Sequence, residues 1–89
     1  MMDTKHQALA EAAEQAAAGD WQSAHVTAQA HEGDPLADWL HAIVHVMEGD
    51  LTNARYWYGR SGRAANAFAD TEKELAALKA EIARVAASG

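Results

Sequence analysis

Cysteine is absent from this chain of 89 residues. That excludes disulfides and thiolate zinc sites. Proline occurs once, at Pro35, and β-branched residues are sparse, so little in the composition favours strands. Long apolar runs are missing too. The longest strongly apolar stretch, WLHAIVHVM, is nine residues interrupted by two histidines, well short of the ~20 residues needed to cross a bilayer. The N-terminal MMDTKHQ has neither the basic start nor the apolar core of a signal peptide. The expectation is a soluble, cytoplasmic protein with no membrane role. Ser23, Ser61 and Ser88 have no nucleophile motif around them, and no phosphate-cradling glycine loop occurs. A catalytic function is therefore not expected.

The longest window without an acid is 51–69. Residues 1–50 hold nine acids and one lysine, a balance of −8; residues 51–69 hold three arginines and no acid, +3; residues 70–89 hold four acids and three bases, −1; the net charge is −6. An acidic chain repels a phosphate backbone, which argues against nucleic-acid binding. A lone basic window on an acidic body suits a local anionic contact or internal pairing.

Alanine, the best helix former, dominates what is present, and the expected class is all-α. A chain of 89 residues makes one domain, 1–89. Gly-Asp punctuates it three times, at Gly19-Asp20, Gly33-Asp34 and Gly49-Asp50. Glycine closes one helix in the left-handed conformation, and aspartate caps the free amides of the next. Pro35 suits the first helical position after Asp34. Thr4 with Gln7 and Thr71 with Glu74 have capping-box spacing. These signals predict five helices, over 4–18, 21–32, 35–48, 51–61 and 71–87, with 62–70 unassigned. Such short connections join antiparallel neighbours.

A shift of 30 residues lays Gly19-Asp20 on Gly49-Asp50, Ala24 on Ala54 and Ala12 on Ala42. Helix pairs at a fixed period are the mark of helical repeats. The segment ADWLHAIVHVMEGDLTNARYWYGRSGR resembles one unit of the tetratricopeptide-like family: an aromatic and aliphatic helix, a Gly-Asp turn, then alanine and an aromatic in the second helix. The period here is 30 rather than 34, and the pattern's terminal proline is missing. The same string is also similar to a small uncharacterised bacterial and fungal group with W-L-H-A-x-x-H-x-x-E-G-D-x-x-N-A-x-Y-W-Y-x-R. The resemblance implies stacked helical hairpins and a non-catalytic protein-interaction role.

Large apolar residues concentrate between Leu36 and Tyr58, which places the core on the third and fourth helices. Leu36, Leu40, Ile43 and Met47 keep one helix face. The first helix offers mainly alanine and Leu9. In the last helix, Phe68, Leu75, Leu78, Ile82 and Val85 form a stripe. It suits a helix capping the stack, or alternatively a homodimer seam.

Two patterns carry candidate chemistry. His41 and His45 are four apart, with Asp38 three before His41, so all three share a face at helical spacing. Two imidazoles and a carboxylate fit a zinc site with an open position, so the alternative function is a metal-binding, hydrolytic protein. The string HAIVH has alanine where the H-E-x-x-H metalloprotease motif has its glutamate. No cofactor is expected, zinc belonging only to this alternative. The second pattern is NARYWYGRSGR. Tyr58 falls on the core stripe with Ala54 and Leu51, Tyr56 points the opposite way, and Trp57 flanks them. Tyr, Trp and Arg are the residue types enriched at interface hot spots. Arg55, Tyr56, Trp57, Arg60 and Arg63 are therefore the candidate partner-binding residues, for an acidic protein or peptide.

Overall fold

The computed structural model describes residues 3–64 and 70–88. Five helices and no strand occur among them: α1 (Thr4–Ala17), α2 (Trp21–Ala30), α3 (Pro35–Glu48), α4 (Leu51–Ser61) and α5 (Thr71–Ser88). The Gly-Asp turns work as their chemistry predicts. Asp20, Asp34 and Asp50 each accept a hydrogen bond from a first-turn amide of the following helix. Pro35 opens α3, where an amide hydrogen would have no partner. Gly49 closes α3 at φ 85°, a conformation that a Cβ would strain even though nothing crowds the position.

The two capping boxes are corrected. Asp3, not Thr4, caps α1, accepting from the His6 amide at 2.8 Å. Asp70, not Thr71, serves α5, accepting from the amides of Glu72 and Lys73. In both cases an aspartate one residue earlier takes the role and leaves the threonine as the first helical residue. Carboxylate and hydroxyl compete for the same amides, and the carboxylate also gains from the helix dipole.

α1 and α2 pack as one hairpin, α3 and α4 as a second, and α2 against α3 joins them. α5 closes the domain by lying across α1 and α3. α3 is therefore the central helix. Every residue from Leu36 to His45 is buried, polar ones included. A helix buried on all sides has neighbours on all sides, and this one is covered by α2, α4, α5 and the edge of α1. Leu40, Ile43 and Val44 are fully buried, while Met47 is only partly so. Each such aliphatic side chain contributes about 1.5–3 kcal/mol on burial.

α1 contributes Leu9, Ala12, Ala13 and Ala16, all buried. Alanine lets helices approach closely, and α1 uses this against α2 and α5. Lys5 pairs with Asp34 at 2.7 Å, and Glu14 with Lys79 at 2.6 Å, tying α1 to the start of α3 and to α5.

Leu75, Leu78 and Ile82 of α5 are buried in the core, with Val85 packed beside them. These three residues of the stripe considered for a homodimer are covered within the chain. Phe68, the first residue of that stripe, lies outside the described residues. Glu74 accepts from Trp39 Nε1 at 3.2 Å and from the Tyr58 hydroxyl at 2.7 Å, so α5 is also keyed to α3 and α4. Burial and the hydrogen bond to Glu74 push the Tyr58 hydroxyl well above its ordinary pKa, so it stays a donor. No helix among the described residues is long and apolar enough to cross a membrane.

Candidate metal centre

The face of α3 that carries Asp38, His41 and His45 is buried, not solvated. Two neighbours cover it: α2 brings His25, and α4 brings Trp57. His25 Nε2 lies 2.9 Å from His41 Nε2. Ring centroids are 4.7 Å apart for His25–His41, 5.1 Å for His25–His45 and 4.9 Å for His41–His45. Each of these three histidines offers a ring nitrogen, and the three nitrogens lie within 4.8 Å of one another. Trp57 stacks on His41 at 3.9 Å and 15°, which fixes the plane of that ring.

Asp38 does not join them. Its carboxylate accepts the Gly33 amide at 3.1 Å, so it ties down the turn between α2 and α3. Of the sequence-derived trio Asp38, His41 and His45, the structure groups the two histidines with His25 and leaves Asp38 at the turn. Asp38 and His41 share a helix face, but Asp38 stands next to the turn, whose free amide claims it. His25 was given no role from sequence, although a signal existed. It lies eight positions before Gly33, and His41 lies eight after. An antiparallel hairpin folded about Gly33 brings such equidistant residues opposite each other.

The electrostatics keep the cluster neutral at its centre. Burial, then repulsion from His25 and His45, pushes His41 down to about 4. His41 is therefore an uncharged imidazole near pH 7, with a lone pair available. Its Nδ1 is buried with no hydrogen-bond partner. His45 is oriented from the other side: its Nδ1 is 2.6 Å from Glu48 Oε1 and 4.0 Å from Asp50 Oδ2. In the neutral tautomer that donates Nδ1–H to Glu48, the lone pair of His45 would fall on Nε2. A carboxylate holding the far nitrogen of a histidine is the usual support of a metal-binding imidazole. His45, Glu48 and Asp50 also form a second group whose ligand atoms lie within 4.8 Å of one another.

Zinc–nitrogen bonds of about 2.0–2.1 Å in a tetrahedron put neighbouring nitrogens roughly 3.3 Å apart. The observed 2.9 Å between His25 and His41 is slightly closer.

The remaining histidines act locally. His6 bonds to its own cap residue Asp3 at 2.8 Å, and His31 is the C-cap of α2.

The five residues expected to bind a partner fall into two places. Tyr56 is exposed, with 54% of its surface open. The Arg60 Nη1 donates to its hydroxyl at 2.9 Å, and the guanidinium stands 5.8 Å from the Tyr56 ring and 5.6 Å from Trp57. Arg55 is exposed beside them. Arg63 lies apart, its guanidinium 4.0 Å from the centre of Trp39 and 3.9 Å from the Glu81 carboxylate. It also borders a cleft of about 290 Å³ lined by Lys5, Asp34, Leu36, Glu81 and Val85 among others. That cleft shares no residue with the histidine cluster.

No known family profile matches the chain, and neither the curated proteins nor the solved structures include a match to it.

Proposed function

We propose that this chain binds one divalent transition-metal ion, zinc in the first instance, through His25, His41 and His45. The observation that carries the proposal is the meeting of three imidazoles from two helices, two of them with Nε2 atoms 2.9 Å apart. Nitrogen donors of this softness suit zinc, copper and nickel more than magnesium or calcium. Glu48 supports His45 by holding its Nδ1, and Trp57 supports His41 by stacking. Three protein ligands leave a fourth position for water. Zinc lowers the pKa of such a water toward ~7, so hydrolytic use of the centre is the extension of this reading.

Zinc calorimetry on tag-free, chelator-treated protein tests it. One stoichiometric site is expected, lost in His25→Ala and in His41→Ala/His45→Ala. Asp38→Asn, which keeps an acceptor for the Gly33 amide, should leave it in place. Circular dichroism confirms that each variant is folded. Absence of specific heat, or heat unchanged by His25→Ala, overturns the proposal.

A further inference from the structure

The outer face of α4 is independent of the metal centre in its exposed groups. Arg55, Tyr56 and Arg60 lie on it, and the window from residue 51 to 69 contains no acid. Lys5, Arg63, Lys79 and Arg84 each stand within 4.0 Å of a carboxylate. Arg55 and Arg60, and Lys73 away on α5, have no carboxylate within 4.0 Å among the described residues. In a chain of net charge −6, two arginines with no carboxylate in contact flank an exposed tyrosine, and only the more distant Asp38 and Glu32 act on Arg60.

Their arrangement is ordered before any partner arrives. Arg60 follows Tyr56 by one helical turn and is held by its hydroxyl at 2.9 Å. Arg55 sits about 100° round the helix on the other side of Tyr56. The Tyr56 ring meets Trp57 edge-on at 5.1 Å, and Trp57 is itself stacked on His41 at 3.9 Å. An aromatic side chain braced in this way loses little freedom on binding. Aromatic rings and arginines are also the residues on which interface affinity concentrates.

We propose that this face of α4 docks an acidic protein segment, with two carboxylates reaching Arg55 and Arg60 and an apolar side chain between them against Tyr56. Charge complementarity selects the occupant. The acid-rich remainder of the chain repels an acidic segment elsewhere, so the contact is confined to α4 and weakens with salt. Arg63, occupied by Trp39 and Glu81, takes no part.

The test is fluorescence anisotropy with a labelled decapeptide of alternating glutamate and leucine, beside a counterpart with lysine for glutamate. Saturable binding of the acidic peptide alone is expected. It should weaken at least tenfold, or about 1.4 kcal/mol, in Arg55→Glu/Arg60→Glu, and clearly in Arg55→Gln/Arg60→Gln and in Tyr56→Ala. Arg84→Glu should leave it unchanged. All these positions are exposed, so the variants should fold, and circular dichroism confirms it. No binding by millimolar peptide, or binding indifferent to the arginine pair, overturns the proposal. Self-association in sedimentation that the arginine variants abolish would give the face to a second copy, and equally overturn it. The loss on substituting the arginine pair should appear in metal-loaded and metal-stripped protein alike, which separates this result from the fate of the metal site.

Discussion

His41 shows how far the setting of one residue alters its chemistry. In an unfolded chain an imidazole takes its proton near pH 6.5; in the fold, burial and its two histidine neighbours push it down to about 4. The unfolded state therefore binds more protons between these values, and stability must fall as pH drops from 6.5 towards about 4. The groups facing His41 are His25, His45 and Trp57, with Glu48 and Asp50 behind His45. Urea titrations of metal-free protein across this range should show the decline, and His41→Leu should flatten it. A pH profile identical in the variant would show that His41 does not set it. The same scale explains why Asp38 was misplaced from sequence. A helical wheel records direction around one axis, and the Gly33 amide that claims the carboxylate belongs to another segment.

At the scale of elements, the helices were legible to within two residues at every end. Glycine and aspartate have local reasons to stop and start helices, and those reasons act whatever the rest of the chain does. α5 was ambiguous for the opposite reason. Its stripe of leucine, isoleucine and valine specifies that the helix is covered, without saying by what. The fold covers it with α1 and α3. Leu75→Asp should therefore unfold the domain rather than release a folded monomer. Loss of the helical circular dichroism signal at 25 °C, with no folded monomer in sedimentation, is the expected result. A folded monomer would mean that the stripe serves a second copy instead. The arginines divide on the same principle. Arg55 and Arg60 lie within α4, where helical phase predicts their exposure; Arg63 lies beyond Gly62, where direction is set by the turn and by Trp39.

For the whole molecule, the histidine cluster joins α2 of the first hairpin to α3 of the second. An ion held there would crosslink the two hairpins. Anything bound only by the native state stabilises it by mass action, about 2.7 kcal/mol at a hundredfold excess over Kd. Thermal denaturation should therefore shift upward by several degrees with zinc, and the shift should vanish with chelator and in His25→Ala. A zinc shift that survives His25→Ala would place the ion elsewhere, with His45, Glu48 and Asp50 the first group to test.

Composition and local order by themselves determined that this chain is helical, where its helices begin and end, and that Tyr58 turns inward while Tyr56 turns out. Those outcomes follow from backbone propensity, capping and helical phase, all of which act within a few residues. Only the tertiary structure decided that every side of α3 is buried, that His25 rather than Asp38 completes the histidine group, and that α5 closes the domain over α1 and α3. These depend on which helices meet and at what register. Such choices are made by burial summed over contacts distant in sequence, which no single segment records.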